Sequence, residues 1–292
     1  MKQVMVLGSG FMGSGIAQVC AAGGLDVLLW DLDRSLVEKS IAKIAAGLDV
    51  RVTKGKETVE RQKEILSRLS PTTDLKDAAK AELIIEVVVE DDAVKHKVLS
   101  EVESYAPETA FLATNTSYIP ITSLAASLKR PERFIGLHFF GPVPAMKLLE
   151  IIRGEQTSGE TLDMALAFAQ QIGKTSVVVN KDTPGFVVNR INAAMRLEAY
   201  HIYHEGIASI PDIDNAMKLG LNHPMGPFEL NDMSGLELGL SGLETMLRRT
   251  GEERWRPDPE VYERVERREL GRKTGKGWYD YSDGVKKPRS DL

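Results

Sequence analysis

The chain has 292 residues, of which 42% are hydrophobic and 27% charged, which is typical of a globular protein with room for two ordinary domains. Its net charge of −5 argues against binding to nucleic acid or to an anionic membrane surface. The single cysteine, Cys20, excludes an internal disulfide bond and any cysteine-based zinc site. No apolar run approaches the ~20 residues that a membrane-spanning helix needs, and no signal-peptide pattern is present, so we expect a cytoplasmic protein.

Short β-rich runs alternate with helical stretches over the first part of the chain. This alternation predicts an α/β fold with a doubly wound parallel sheet, because parallel strands need crossover connections that are usually helical. Helices are expected at residues 14–22 and from Leu36 to about Leu69. The predicted strands are Val4–Leu7, Val27–Trp30, Leu83–Val89, Phe111–Ala113, Phe134–Phe140 and Val177–Val179.

After Asn180 the β-rich runs stop, and the remaining periodic segments are helical. The predicted helices are residues 184–207, 210–219, 227–248 and 258–269. We therefore expect an α/β domain at residues 1–182 and an all-helical domain at residues 183–292.

A G-x-G-x-x-G motif, GSGFMG, lies directly after the first predicted strand and opens a predicted helix. Gly8 permits the sharp turn, Gly10 lets the backbone approach a pyrophosphate, and Gly13 allows close packing of helix on strand. The next strand ends in Asp31, 18 residues after Gly13, where a carboxylate should meet a ribose 2′-hydroxyl. The alternative is a glycine-rich turn, but this order of elements favours a dinucleotide site. The carboxylate would repel a 2′-phosphate, which favours NAD over NADP.

Residues 135–152, IGLHFFGPVPAMKLLEII, place one histidine and one glutamate in two apolar runs. If Phe134–Phe140 and Met146–Ile152 form a hairpin centred near Pro144, His138 and Glu150 are each six positions from that centre. They should then lie opposite one another on one face. A carboxylate beside an imidazole fixes its tautomer, and such a histidine can exchange a proton with an alcohol. The alternative is a hydrogen-bonded histidine of the core.

Several segments together resemble the L-3-hydroxyacyl-CoA dehydrogenase family, in its short-chain bacterial branch. They are GSGFMGSGIA, IIEVVVEDDAVKHKVL, ATNTSYIPIT, RFIGLHFFGPVPAMKLLEII, KDTPGFVVNRI, DIDNAMKLG, HPMGPFEL and GRKTGKGWYDY. The resemblance implies a Rossmann-type domain that binds NAD and a helical C-terminal domain that forms a homodimer and contributes to the substrate site. The implied reaction is reversible oxidation of (S)-3-hydroxyacyl-CoA to 3-oxoacyl-CoA in fatty acid β-oxidation or butanoate metabolism, without a metal ion, since the nicotinamide supplies the reactive carbon.

The resemblance also implies roles for individual residues. His138 and Glu150 become the catalytic pair. The implied substrate-binding residues are Ser117, Lys54 and Asn189. The implied cofactor-binding residues are Gly8, Gly10, Phe11, Met12, Gly13, Asp31, Glu90, Lys95, Asn115, Ser117, Gly141 and Lys273.

Each of these side chains also has an ordinary structural interpretation. Glu90 and Lys95 could form a surface ion pair of little energetic consequence, and Ser117 could cap a helix. Lys54 and Lys273 could be solvated charges, and Asn189 a polar residue of a helix. Glu86, an acid inside a predicted strand, is expected to hydrogen-bond structurally. His201 and His204 lack an evident third metal ligand.

Two positions depart from the family pattern: Gly47, where the family tends to have a serine near the CoA, and Gly141. The family usually reads HFFNPVP, whereas this chain reads HFFGPVP, so Gly141 replaces an asparagine near the substrate. Backbone or water could replace the amide, the substrate could differ, or the activity could be low. Two rival functions therefore stay open: oxidation of a β-hydroxy acid without CoA, and a nucleotide-binding structural protein.

Overall fold

The chain divides into two compact units, Met1–Thr183 and Pro184–Leu292, and the computed structural model describes residues 1–291. Within these residues, no helix has both the length and the apolar composition needed to cross a membrane.

The first unit alternates strands and helices around one sheet, which confirms the predicted doubly wound α/β fold. The strand order is β3-β2-β1-β4-β5-β6-β7-β8, and neighbours are parallel except for the antiparallel pair β6 and β7. In chain order, the elements are β1 (Gln3–Leu7), α1 (Phe11–Ala22), β2 (Asp26–Trp30), α2 (Arg34–Thr53), α3 (Val59–Ser67), β3 (Leu69–Thr72), β4 (Leu83–Glu86), α4 (Asp92–Glu103), β5 (Phe111–Thr114), α5 (Ile121–Ala125), β6 (Phe134–Phe139), β7 (Leu148–Ile152), α6 (Gly159–Gln171) and β8 (Thr175–Val179).

The two faces of this sheet differ in polarity near the carboxyl ends of the central strands. One face is wholly apolar there, with Ile85, Ala113 and Leu137 packed in a single core that includes residues of α1, α2, α3 and α6. Because side chains alternate along a strand, the next residues, Glu86, Thr114 and His138, point to the opposite face. These three buried polar residues thus lie on one side of the sheet. They lie next to the edge where open α/β sheets bind ligands, outside the carboxyl ends of the strands.

Several predicted boundaries in this unit are wrong. The predicted helix from Leu36 to about Leu69 is two helices, because Gly55 takes a left-handed conformation (φ +64°) and Thr58 caps a new helix by accepting from Arg61 N. The strand predicted over Leu83–Val89 ends at Glu86, and the second hairpin strand begins at Leu148. Strand β3 escaped prediction because its sequence, LSPT, is short, polar and contains a proline.

The second unit is helical, as predicted. The predicted helix at 227–248 is interrupted at Gly235, whose φ of +101° ends one helix and starts the next. After the last helix, residues 271–287 form isolated β-bridges. The helices are α7 (Val188–His204), α8 (Ile210–Gly220), α9 (Pro227–Ser234), α10 (Leu236–Thr250) and α11 (Pro259–Glu266).

Candidate active site

The glycine motif forms the turn between β1 and α1. Gly8 has φ +109°, and a Cβ at this position would lie 2.7 Å from the carbonyl oxygen of Val87. A Cβ on Gly13 would lie 1.8 Å from the carbonyl oxygen of Gly8, so only glycine lets α1 pack this closely. No atom lies within 4 Å of the position that a Cβ on Gly10 would occupy. Gly10 precedes α1, and no side chain caps the start of this helix. The first backbone N–H groups of α1 are therefore free to receive a pyrophosphate.

Asp31 lies directly beyond the end of β2, beside the glycine turn. Its Oδ2 accepts hydrogen bonds from Ser9 N (2.8 Å) and Ser9 Oγ (2.7 Å), and its Oδ1 accepts from Leu32 N (2.8 Å). A carboxylate can accept about four hydrogen bonds, so the Asp31 carboxylate can still accept one from a ribose hydroxyl. Next to it lies a largely apolar cavity of about 310 Å³, lined by residues that include Gly10, Leu32 and Val94. Turn, carboxylate and apolar cavity together fit the adenosine half of NAD.

His138 and Glu150 occupy opposite positions on β6 and β7, which confirms the pairing predicted from the hairpin. Nδ1 of His138 is 2.7 Å from Oε2 of Glu150, and the residues are 3% and 0% exposed. The ring of Phe140 packs edge-on against the imidazole, with centroids 4.6 Å apart. An ionised carboxylate only accepts hydrogen bonds, so this contact holds the ring proton on Nδ1 and presents Nε2 as the basic atom.

Ser117 lies on the other side of the imidazole. Its Oγ is 3.0 Å from Nε2 of His138, although 21 residues separate the two in sequence. Its neighbour Asn115 accepts a hydrogen bond from Phe139 N (2.8 Å), so the Asn115 side chain ties the segment after β5 to the strand that carries the histidine. The structure thus brings Ser117 to the imidazole of His138 and Asn115 to the strand that carries it. Their predicted contacts with cofactor and substrate stay predictions.

Glu90 lies in the connection between β4 and α4 and supports the segment that carries Ser117. Its Oε1 accepts from Thr116 Oγ1 (2.6 Å), Ser117 N (2.9 Å) and Tyr118 N (3.0 Å). Burial acts to raise the pKa of this carboxyl group. The Lys95 ammonium and the three hydrogen bonds outweigh burial and hold the pKa below its usual value.

Lys95 is 1% exposed, so it is not the surface residue that the alternative interpretation assumed. Its Nζ is 2.7 Å from Glu86 Oε1 and 3.4 Å from Glu90 Oε2. Glu86, expected to hydrogen-bond structurally, also accepts from Val88 N (2.7 Å) and Thr114 Oγ1 (2.6 Å).

Gly141 follows β6 and lies against the start of α1. A Cβ at this position would be 2.7 Å from Cε1 of Phe11 and 3.4 Å from Sδ of Met12. Phe11 is 70% exposed, so its ring stands open to solvent beside the glycine turn. The edge of the Phe11 ring thus lies beside the position that a side chain at residue 141 would occupy. Phe11, Met12 and Gly141 are thus brought together, and their predicted contacts with the cofactor stay predictions.

Two lysines absent from the sequence predictions, Lys39 and Lys43, line a second cavity. Its volume is about 480 Å³, and Gly10, Phe11 and the turn after Gly141 also border it. The lysines are four residues apart on α2, a spacing that puts both on one helix face and could have revealed them. Lys54, the predicted lysine, is exposed and lies at the C-terminal end of the same helix.

Two predicted residues, Asn189 and Lys273, belong to the second unit. Asn189 is half-buried in the first turn of α7. Lys273 forms an ion pair with Glu237 in that unit. His204 pairs with Asp258 at 2.9 Å, and no cluster of three or more metal-ligating side chains is found in residues 1–291. The roles of Asn189 and Lys273 toward ligands stay predictions.

Comparison with known protein families shows to which family the chain belongs. The pattern of the 3-hydroxyacyl-CoA dehydrogenase NAD binding domain matches residues 3–183, and that of the 3-hydroxyacyl-CoA dehydrogenase C-terminal domain matches residues 185–281. The chain belongs to the 3-hydroxyacyl-CoA dehydrogenase family. Like other members of this family, it is an NAD-dependent oxidoreductase with a Rossmann-type domain, as the sequence predicts.

Individual family members match over almost their whole length. The 3-hydroxybutyryl-CoA dehydrogenase of Clostridioides difficile is 44% identical over 96% of this chain and 99% of its own. The mitochondrial hydroxyacyl-coenzyme A dehydrogenase of Sus scrofa is 40% identical over 96% and 91%. The crystal structure of (S)-3-hydroxybutyryl-CoA dehydrogenase from Ralstonia eutropha superposes with a TM-score of 0.92 at 42% identity, covering 96% of this chain and 99% of that one.

Proposed function

We propose that the chain catalyses the NAD-dependent, reversible oxidation of short-chain (S)-3-hydroxyacyl-CoA to 3-oxoacyl-CoA. The observation that carries the proposal is the buried His138–Glu150 pair, with Ser117 Oγ on the second ring nitrogen of His138. This pair lies at the carboxyl edge of a sheet whose glycine turn and Asp31 fit NAD. The named activities of the relatives support the substrate class.

His138 is the group that moves the proton. In the oxidative direction its Nε2 accepts the proton of the substrate hydroxyl, and in the reductive direction it returns that proton to the ketone oxygen. Glu150 keeps the ring in one orientation and stabilises the imidazolium that forms, because its carboxylate is 2.7 Å from Nδ1. Both groups are buried, so water competes little for the transferred proton.

Ser117 positions the substrate oxygen. Its hydroxyl already lies 3.0 Å from Nε2, the atom that the substrate hydroxyl must approach, so it can share a hydrogen bond with the substrate oxygen. Three donors from Thr116, Ser117 and Tyr118 to one oxygen of Glu90 fix this segment before any ligand arrives. Such preorganisation reduces the cost of reaching the reactive geometry.

The residues that would hold NAD are Gly8, Gly10 and Gly13 at the pyrophosphate and Asp31 at the adenosine ribose. When bound, NAD supplies the hydride acceptor. The Asp31 carboxylate would repel a 2′-phosphate at the same place, which favours NAD over NADP.

The CoA part of the substrate carries several phosphates, and the cavity beside α2 offers cations for them. Lys39 and Lys43 line that cavity, and Lys54 extends the basic face toward the end of the helix. Lysine binds phosphate as a point charge, so no rigid geometry is required.

For the second unit we propose homodimer formation. Several large apolar side chains are exposed on it, among them Ile207 (66%), Leu219 (85%), Leu221 (63%) and Leu238 (63%), and binding of a second copy can bury such side chains.

The direct test is oxidation of NADH by 3-oxoacyl-CoA substrates. With acetoacetyl-CoA we expect loss of NADH absorbance, with higher kcat/KM for short than for long acyl chains and for NADH than for NADPH. Free acetoacetate serves as the matched substrate without CoA. Turnover of the free acid alone would support the rival β-hydroxy acid function, and NADH binding without any turnover would support a structural protein.

A further inference from the structure

A buried ion pair lies in the first unit without touching the catalytic histidine. Glu86 and Lys95 are 0% and 1% exposed, and their charged atoms are 2.7 Å apart. Lys95 is the fourth residue of α4, where the positive end of the helix dipole disfavours a cation. Buried ion pairs add little net stability, because desolvation offsets their attraction. Stability alone therefore does not account for this pair.

The pair fixes the connection between β4 and α4. Glu86 Oε1 accepts from Val88 N, and Lys95 Nζ lies 3.4 Å from the carbonyl oxygen of the same residue. Lys95 Nζ is also 3.4 Å from Oε2 of Glu90, four residues after Glu86. Oxygen atoms from the start, the middle and the end of this connection thus lie around one ammonium group. Glu90 is the residue at the end of the connection that the ammonium group holds.

Glu90 transmits this constraint to the neighbouring segment. Its Oε1 accepts three hydrogen bonds from residues 116–118, and the neighbouring cation lowers its pKa, so it stays an acceptor at neutral pH. A second connection runs from Glu86 Oε2 through Thr114 Oγ1, which in turn accepts from Thr116 N (3.2 Å). The segment that carries Ser117 is therefore held from two sides by groups of one network.

We propose that the Glu86–Lys95 pair is a positioning unit for the active site. It acts through Glu90 and the 116–118 segment, and it keeps Ser117 Oγ within hydrogen-bond distance of His138 Nε2. The inference rests on the proposed function and gives the pair a positioning role in addition to the cofactor contact that the family resemblance implies for Lys95. Three oxygen atoms surround the buried ammonium and hold it in place.

The test removes both charges while keeping side chains of similar size. In the double variant Glu86→Gln/Lys95→Met, we expect kcat with acetoacetyl-CoA to fall on the order of 10²-fold, since small displacements of reacting groups have effects of this size. This loss of kcat should persist at saturating NADH, whatever the affinity of the variant for the cofactor. Glu103→Gln is the matched control, because Glu103 is also a buried glutamate (4%) that accepts backbone hydrogen bonds in the same unit. It should change kcat by less than about twofold.

Two kinetic outcomes would overturn the proposal. If NADH affinity falls at least about tenfold while kcat at saturation is unchanged, Lys95 binds the cofactor directly. If kcat of the double variant equals that of the Glu103→Gln control, the pair has only a structural role. If the double variant does not fold, Thr114→Val replaces it, because this variant removes one hydroxyl from the same network. Its expected loss of kcat is about tenfold with unchanged NADH affinity.

Crystal structures of the variants supply a readout that needs no turnover. We expect the distance from Ser117 Oγ to His138 Nε2 to exceed about 3.5 Å in the double variant and to stay at hydrogen-bond length in Glu103→Gln. An unchanged contact in the double variant would contradict the positioning role. A wild-type protein without activity on any acyl-CoA would refute the proposed function and leave this structural result to be judged separately.

Discussion

Both units of the chain bury carboxylates, and two carboxylates from each unit differ in the kind of partner they have. In the first unit, Glu150 contacts an imidazole and Glu86 contacts an ammonium group, both groups that can carry charge. In the second unit, Asp214 and Asp232 are 0% and 1% exposed, and they mainly accept from neutral donors.

The neutral donors of the second unit join distant segments. Asp214 accepts from Phe228 N (2.9 Å), from the next backbone N–H, and from the hydroxyl of Tyr279 (2.7 Å). Asp232 accepts from the backbone N–H groups of Trp278 (2.8 Å) and Tyr279 (2.9 Å). Burial raises the pKa of Asp232 to about 6, although these two hydrogen bonds act to lower it. These two aspartates attach the C-terminal segment to the helices.

The difference shows that burial of an acid does not by itself indicate catalysis. A carboxylate with titratable partners at the carboxyl edge of a parallel sheet can direct a proton, as we propose for Glu150 and His138. A carboxylate that accepts backbone N–H groups satisfies donors that would otherwise be unpaired. Substitutions in the two regions should therefore separate activity from stability.

The largest effect on activity is expected at His138. A glutamine at this position cannot take up the substrate proton, so kcat/KM of His138→Gln should fall on the order of 10³-fold. Steady-state kinetics with acetoacetyl-CoA and NADH measures this, and NADH affinity, measured by titration, should change by less than about threefold. A loss below about tenfold would mean that another group moves the proton.

The largest effect on stability is expected at Asp214. Asp214→Ala leaves two backbone N–H groups and one buried hydroxyl without their acceptor, so the free energy of unfolding should fall by about 3–4 kcal/mol. Urea unfolding measures this loss. The kcat per folded molecule should stay within about twofold of wild type. If kcat collapses while stability holds, Asp214 belongs with the catalytic acids, and the contrast between the two regions fails.

A smaller effect concerns the pH dependence of stability. The pKa of Asp232 is raised from 3.8 to about 6 in the folded chain, so the folded state binds its proton more tightly than the unfolded state. The contribution of this group to the free energy of unfolding should therefore fall as pH rises from about 4 to about 6. Unfolding measured across this range should show a shallower decline in Asp232→Asn than in wild type. An identical pH slope in both proteins would contradict the raised pKa.

The smallest effect is expected at Gly141, where the chain departs from the family pattern. Its backbone φ is not in the left-handed region, and the nearest obstacle is the end of the exposed Phe11 ring. The free energy of unfolding of Gly141→Asn should therefore differ from wild type by no more than about 0.5 kcal/mol in urea denaturation. A loss above about 2 kcal/mol would show that Phe11 cannot move aside and that position 141 is confined.

The parts of the site that follow a local pattern could be predicted from sequence. The glycine turn and Asp31 obey a fixed spacing after a strand, and counting outward from Pro144 pairs His138 with Glu150. Both follow from backbone geometry over short distances. The doubly wound fold likewise follows from the alternation of strands and helices.

The rest depends on contacts between segments that no local pattern connects. Ser117 reaches His138 only because β5 and β6 are neighbours in the sheet, and Lys95 is buried only because α4 packs over Glu86. Interruptions at Gly55 and Gly235 escaped prediction, since each glycine lies inside a longer stretch that was predicted as one helix. Sequence patterns identified the residue types of the site, and tertiary packing decides which of them touch.

The most direct test of the central claim is the tautomer of His138, measured by ¹⁵N nuclear magnetic resonance on protein labelled in its histidine rings. The structure predicts that the neutral ring carries its proton on Nδ1, toward Glu150, and that Nε2 is free of a proton. In Glu150→Gln this preference should weaken or reverse, because the glutamine amide can donate to Nδ1. A wild-type ring protonated on Nε2 would contradict the account, since that atom could then not accept the substrate proton.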